Sequence, residues 1–166
     1  MGAMNVFYNV GFIEGMLVLA VDVGKGAGAI ALARYLGGQE LVQLMAGIAA
    51  VLGHSFPIFL KFRGGKGGAT LIGILVYLMP RGIPIFLGIF GLGLIATRYP
   101  TLSYWVALLC FPFVAWLVYQ KWELLIFSAG LLFFLLLRYI PRLKEMRAKN
   151  GGWRHVLSRK GLRDRL

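Results

Sequence analysis

The sequence predicts an all-α protein, a polytopic bundle of about six transmembrane helices, and three observations support this fold class. Hydrophobic residues make up 59% of the chain and charged residues only 14%, and the mean hydropathy is +0.77. A soluble domain of 166 residues needs more charged side chains to cover its surface. Short polar connections divide the apolar sequence into helix-length segments. The cations are concentrated in a few places along the chain. Lipid is therefore expected to replace water over most of the surface.

The helices are expected at six apolar segments separated by connections such as "GGQE", "PRG", "RYP" and "YQKWE". Their approximate bounds are residues 15–36, 41–60, 67–80, 82–97, 102–119 and 122–140. A full span needs about 20 apolar residues, so the third and fourth segments are short and are expected to be oblique, partly re-entrant or extended by flanking residues. We expect residues 1–140 to form one transmembrane domain and residues 141–166 to form a basic tail.

The formal charge of +12 is compatible with a nucleic-acid-binding protein, but its distribution favours a membrane protein with no nucleic-acid partner. Ten of the 18 cations lie between Arg138 and Arg165, after the last apolar segment. With the N-terminus in the cytoplasm, fourteen cations fall on the inner side and three on the outer side. The loop at residues 61–70 and the tail are therefore both predicted to be cytoplasmic.

Glycine spacing predicts where helices approach one another closely. Small residues recur at Gly24, Gly28 and Ala31, and again at Gly88, Gly91 and Gly93. Small side chains let the backbones of transmembrane helices come into contact. Both groups are therefore expected to lie in helix packing interfaces.

The loop "KFRGGKGGAT" combines three cations and four glycines inside an apolar chain. Glycines free the backbone to adopt left-handed conformations and to present N–H groups to an anion, while Arg63 and Lys66 supply positive charge. The helix that begins near Gly68 adds its positive N-terminal end. A phosphate fits all three features, whereas the alternative, a flexible positive-inside loop, would explain the cations but not the glycines. The spacing is neither that of a Walker A loop nor that of a dinucleotide fingerprint, so a nucleotide is disfavoured.

Four further residues are candidates for chemistry. Asp22 and Lys25 stand three residues apart in an apolar helix, where ionisable residues mark either a site or a charge-compensated structural pair. His54 lies near the cytoplasmic end of its segment and is either a proton-transfer group or a helix-end hydrogen-bond donor. Asn5 offers an amide to a phosphate or carbonyl oxygen. Metal-ligand spacing is absent from the sequence, so no metal is expected.

Three stretches, "GAMNV", "AVDVGKGAGA" and "GHSFPIFLKFRGGKGGAT", resemble in order and spacing the bacterial acyl-phosphate:glycerol-3-phosphate acyltransferases, the PlsY family. The resemblance runs from residue 2 to about residue 119, and "LIATRYPTLSYW" echoes it more weakly. It implies seven short transmembrane helices with a cytoplasmic-face site in the bacterial plasma membrane. The implied reaction moves a fatty acyl group from acyl phosphate to the 1-hydroxyl of glycerol 3-phosphate, without metal or other cofactor. Association with the enzyme that forms acyl phosphate is a further expectation.

The resemblance also implies roles for individual residues. Lys66 and His54 are the catalytic candidates. The other expected substrate-binding residues are Gly64, Gly65, Gly67 and Thr70 around the phosphate, Lys61 and Arg63 as added charge, and Asn5, Asp22 and Lys25 lining the same pocket. The expected catalysis is positioning plus electrostatic stabilisation. A separate hypothesis, which does not come from the resemblance, is that the phosphate itself accepts the proton, because no residue here is a strong general base.

The chain also departs from the family pattern. The family's first motif reads roughly "SGNxGATNxxR", whereas this chain begins inside it and has Met4 for Thr and Tyr8 for Arg. A late motif, about "RHxxNIxRL", has no His or Asn counterpart in "LLLRYIPRLKEM". Two explanations are open at this stage, a missed upstream start codon that removes the first helix, and a divergent member. The alternative functions are a non-catalytic or substrate-shifted homologue and a small phosphate-binding membrane transporter.

Overall fold

The computed structural model describes residues 2–58, 62 and 64–149. The described ranges contain helices and no strand, which confirms the all-α prediction. The helices are α1 Ala3–Asn9, α2 Phe12–Tyr35, α3 Glu40–Ser55, α4 Gly68–Leu78, α5 Gly82–Thr97, α6 Pro100–Leu108, α7 Cys110–Val114 and α8 Trp122–Lys149. A π-helical turn, Ala115–Tyr119, follows α7.

The six expected segments correspond to α2, α3, α4, α5, the run from α6 to the π-helical turn, and α8. Within the part of the chain that the structure describes, three stretches are long and apolar enough to cross a membrane, namely Phe12–Tyr35, Pro100–Tyr119 and Trp122–Pro141. The helices α3, α4 and α5 are apolar but shorter. The prediction that the third and fourth segments are short is confirmed, since α4 has 11 residues and α5 has 16.

The larger differences from the sequence prediction concern α3, α1 and α8. The helix α3 ends at Ser55 instead of residue 60, because Pro57 disfavours helical geometry at Phe56, which has φ −130° and ψ 58°. The short helix α1 was not predicted, because its seven residues form no membrane-length apolar segment. The helix α8 continues through Pro141 to Lys149, and residues 150–166 of the expected tail lie outside the described residues.

The chain forms two compact units, residues 1–80 and residues 81–166. In the first unit α2 packs against α1, α3 and α4. In the second unit α5 packs against α6 and α7, and α8 packs against α7 and the π-helical turn. Every residue of the loop that the sequence singled out belongs to the first unit.

The crossing of α2 and α4 is the tightest contact of the first unit. The buried face of α2 carries Gly15, Asp22, Gly26 and Ile30, which recur at helical spacing. A Cβ atom at Gly26 would collide with the carbonyl oxygen of Thr70, and one at Gly73 would collide with the carbonyl oxygen of Val23. The two backbones therefore touch at reciprocal glycines, and this crossing fixes the position of Asp22 relative to the start of α4.

The expected packing role of Gly24 and Gly28 is wrong within this unit. A Cβ atom at either position meets no described atom of the first unit, because both lie on the face of α2 that points away from α4. Gly88 and Gly91 likewise have open space within the second unit. Gly93 fits the prediction, since its Cβ would stand 3.1 Å from the side chain of Ser103 on α6.

Replacing Gly26 with alanine is expected to destabilise the protein by about 1–3 kcal/mol, because backbone atoms of α4 cannot move aside for a methyl group. Gly28→Ala is the matched control on the same helix. It adds a methyl group in open space and is expected to be neutral or to stabilise by up to about 1 kcal/mol through helix propensity. Thermal unfolding in detergent compares the two variants. An equal Tm for both would contradict the reciprocal glycine contact.

Candidate functional site

A polar cluster formed by Asp22, Lys25 and His54 lies between α2 and α3. The ammonium of Lys25 donates a hydrogen bond to Asp22 Oδ1 at 2.6 Å and lies 2.5 Å from His54 Nδ1. The distance from His54 Nδ1 to Asp22 Oδ1 is 3.4 Å. The side chains of Asp22 and His54 are 9% and 8% exposed, whereas Lys25 is 38% exposed. The cluster therefore has two buried members and one that reaches the surface.

The local fold explains this convergence. Asp22 and Lys25 are three residues apart on α2 and share one face. His54 is the penultimate residue of α3, and α3 packs on α2. The prediction that Asp22 and Lys25 share one face of the helix is confirmed by the 2.6 Å contact, and the structure adds His54 as a third member of the cluster.

The first two glycines of the loop are packed directly against His54. A Cβ atom at Gly65 would collide with the His54 ring, and its closest neighbour would be Nε2. A Cβ atom at Gly64 would collide with the His54 carbonyl oxygen and with the Pro57 ring. The Gly65 N–H donates to the His54 carbonyl oxygen at 3.2 Å. Both positions therefore need glycine because there is no room for a side chain.

This finding corrects the reason that the sequence suggested for the glycines. All four were expected to allow left-handed backbone, but among the described loop glycines only Gly67 has a positive φ, of 86°. That residue caps α4, and its carbonyl oxygen accepts a hydrogen bond from the Leu71 N–H at 2.8 Å. Gly67 turns the chain into the helix, while Gly64 and Gly65 allow the loop to lie on His54.

The start of α4 places the remaining loop residues beside the cluster. Lys66 is exposed between the buried glycines Gly65 and Gly67. Thr70 is fully buried, and its hydroxyl has no hydrogen-bond partner among the described residues. Its carbonyl oxygen is the atom that contacts Gly26 of α2. Exposed positive charge therefore stands at the N-terminal end of an 11-residue helix, whose first N–H groups point out of the helix end.

Three expected site residues are not placed by the contacts described above. Asn5 is exposed on α1, where its side-chain oxygen accepts a hydrogen bond from Asn9 Nδ2 at 2.7 Å. Lys61 and Arg63 lie outside the described residues. Their place in the site stays a prediction. No group of three or more His, Cys, Asp or Glu side chains that could hold a metal was found within the described ranges.

Sequence reasoning missed four residues that shape the site. Gly64 packs on the carbonyl oxygen of Ser55 and the ring of Pro57. Gly26 and Gly73 determine how closely α2 and α4 cross. A signal for Gly26 existed, because it stands four residues after Asp22 and four before Ile30 on one helical face. The contacts of Gly64 with Ser55 and Pro57 had no comparable signal in the sequence, because they depend on the chain reversing direction after Ser55.

Comparison with known sequences identifies the family. The sequence profile described as "Glycerol-3-phosphate acyltransferase" matches residues 1–149. The chain belongs to the glycerol-3-phosphate acyltransferase family. The resemblance stated from the motifs is thereby confirmed.

Individual members of this acyltransferase family align over most of the chain. "Glycerol-3-phosphate acyltransferase 2" of Dehalococcoides mccartyi is 49% identical over 168 residues, covering 100% of this chain and 80% of the relative. "Glycerol-3-phosphate acyltransferase 1" of Moorella thermoacetica is 35% identical over 140 residues, covering 84% of this chain and 71% of the relative. The loop and the polar cluster therefore lie within the aligned part of the first relative.

Two crystal structures of the acyltransferase PlsY have a similar fold. Both are described as structures of an integral membrane glycerol 3-phosphate acyltransferase, one in the lysophosphatidic acid form and one in the glycerol 3-phosphate form. Each is 25% identical to this chain with a TM-score of 0.78, and each match covers 89% of this chain. The match covers 76% of the first PlsY chain and 74% of the second. The transmembrane-bundle prediction is confirmed at the level of the fold.

Proposed function

We propose that this chain is a membrane acyltransferase that moves a fatty acyl group from acyl phosphate to the 1-hydroxyl of glycerol 3-phosphate, giving lysophosphatidic acid and phosphate. The observation that carries the proposal is the glycine loop seated on His54, with exposed Lys66 at the N-terminal end of α4. Membership of the family and the fold shared with PlsY support glycerol 3-phosphate as the acceptor. Acyl phosphate as the donor rests on the resemblance of the motifs.

The loop and the polar cluster would bind different parts of the substrate. The N-terminal end of α4 and the charge of Lys66 would hold a phosphate, with Lys61 and Arg63 adding charge. The buried Thr70 hydroxyl, which lacks a partner in the described structure, would be available close to the start of α4. Asp22, Lys25 and His54 would form the wall on the α2 and α3 side, and Asn5 would approach from α1.

The proposed reaction needs no metal and no dedicated base. The 1-hydroxyl oxygen attacks the acyl carbonyl carbon, a new ester C–O bond forms, and the bond between the acyl carbon and the phosphate oxygen breaks. The hydroxyl proton leaves with the departing phosphate as hydrogen phosphate, so charge and atoms balance. Lys66 and the loop N–H groups stabilise the negative charge while the substrates are held in line.

The experiment that tests this function compares donors in purified protein. Acyl phosphate plus labelled glycerol 3-phosphate should yield labelled lysophosphatidic acid, and acyl-coenzyme A should yield none. Product from neither donor, with glycerol 3-phosphate still bound, would instead support a phosphate-binding membrane protein without bond chemistry. The missing His and Asn of the late motif are the observation that keeps this second candidate open.

We also propose that the chain lies in the bacterial plasma membrane with the loop at residues 61–70 and the C-terminal tail in the cytoplasm. The cation count and the alternation of the apolar segments support this orientation. The donor would then be made at the same face, and an association with the enzyme that forms acyl phosphate would shorten its path.

Single-cysteine labelling is expected to confirm the orientation. In a Cys110→Ala background, Arg98→Cys should react with a membrane-impermeant thiol reagent only after the inner face is opened, whereas Lys121→Cys should react in intact cells. Both positions are exposed in the structure, and Cys110 is the one native cysteine. Labelling of both from the same side would contradict the proposed alternation.

A further inference from the structure

The geometry around His54 points to a fixed role for its ring: we infer that Asp22 and Lys25 hold His54 as the neutral tautomer with the proton on Nε2, so that His54 donates a hydrogen bond at the loop instead of acting as a base. The inference rests on the proposed function for its substrate, but the tautomer itself does not. It assigns Asp22 and Lys25 as positioning residues that act through His54.

The contacts of Nδ1 determine where the ring proton resides. Lys25 Nζ lies 2.5 Å from His54 Nδ1 and 2.6 Å from Asp22 Oδ1. An ammonium group has three donors and no acceptor. A proton on Nδ1 would therefore point at the donor protons of Lys25, whereas a bare Nδ1 accepts one of them.

The charge balance of the cluster favours the same state. The Asp22 carboxylate and the Lys25 ammonium carry opposite charges, and Asp22 and His54 both contact Lys25 Nζ. A protonated His54 would place a second positive charge beside the Lys25 ammonium, on a ring that is 8% exposed. The 3.4 Å separation of Asp22 Oδ1 from Nδ1 is also longer than the 2.6 Å contact with Lys25, so the carboxylate pairs first with the ammonium.

The opposite edge of the ring faces the loop. Of the ring atoms, Nε2 is the nearest to the place that a Gly65 Cβ would occupy. The proton on Nε2 therefore lies on the ring edge that contacts the loop, next to the proposed site for the phosphate of glycerol 3-phosphate. A donor there strengthens phosphate binding, and a ring whose other nitrogen is occupied by Lys25 has no acceptor left to take the proton of the 1-hydroxyl.

Nitrogen-15 NMR of the ring tests the tautomer without any enzymatic reaction. The chain has two histidines, so His155→Gln leaves His54 as the only labelled ring. We expect a bare Nδ1 and a protonated Nε2 in this background. Lys25→Met should shift the spectrum toward a mixture of tautomers, while Arg34→Met, which removes an exposed cation from the last turn of α2, should leave it unchanged. A protonated Nδ1 in the His155→Gln protein would overturn the inference.

A pair of substitutions then separates a donor from a base. The amide nitrogen of glutamine reaches the place of Nε2, whereas asparagine reaches only the place of Nδ1. His54→Gln should retain kcat/KM within about fivefold, and His54→Asn should lose about 10- to 100-fold, mostly through a higher KM for glycerol 3-phosphate. Equal losses in both variants, carried by kcat, would show a base and contradict the inference. If neither the two variants nor the parent protein makes product, the proposed function fails. The NMR result still decides the tautomer in that case.

Discussion

Lys66→Ala is expected to lower kcat/KM for acyl transfer by at least about 100-fold, because it removes the exposed cation from the centre of the glycine loop. In the proposed reaction Lys66 neutralises phosphate charge that grows as the acyl–oxygen bond breaks. The lost interaction is therefore expected to depress kcat as well as substrate affinity. Initial rates over a range of glycerol 3-phosphate concentrations measure both.

Lys121→Ala is the control for Lys66→Ala. Lys121 is also an exposed lysine, but it lies just before α8 and is expected at the outer face. The Lys121→Ala variant should keep full activity. Similar losses in both variants would contradict the proposed site together with the proposed orientation.

Gly65→Ala is expected to abolish most activity, by about 100-fold or more, although the added group is a single methyl. The methyl group would occupy the space of the His54 ring and force the loop or the ring to move. Displacement of catalytic groups by about an ångström typically costs on the order of 100-fold in rate. The folded fraction should remain high, because the contact between α2 and α4 is made at Gly26 and Gly73 and does not involve Gly65.

Gly53→Ala is the matched control for Gly65→Ala. Gly53 precedes His54 on α3, and a Cβ atom there meets nothing within 4 Å. Activity and Tm of this variant should stay close to those of the parent. A Gly65→Ala protein with normal kinetics would show that the His54 ring does not shape the loop.

The sequence predicted the fold because the determining signal is local. Apolar runs of membrane length are visible one segment at a time, and α2, α6 to the π-helical turn, and α8 are near their expected positions. Packing was less predictable. Gly24 and Gly26 look alike in the sequence, but they lie on different faces of α2. A Cβ atom at Gly26 would meet Thr70, whereas one at Gly24 would meet no atom of its unit.

The site was predictable in its residue types and less so in its contacts. Asp22 and Lys25 could be paired from their spacing, since a helix alone brings them together. The contact of Lys25 with His54 joins residues 29 positions apart and depends on how α3 returns beside α2. The packing of Gly64 and Gly65 against His54 and Pro57 is also a tertiary contact. The glycines were therefore recognised as necessary, but the cause at Gly64 and Gly65 is packing against His54 and Pro57.

Protection of Lys66 from an amine-modifying reagent is the most direct test that glycerol 3-phosphate binds in the loop. Modification rates of Lys66 and Lys121 can be followed in one sample by mass spectrometry. At ten times Kd, glycerol 3-phosphate should slow modification of Lys66 by about tenfold through occupancy alone, and glycerol without phosphate should give no protection. The rate at Lys121 should not change. An unchanged rate at Lys66 with saturating glycerol 3-phosphate would contradict the account.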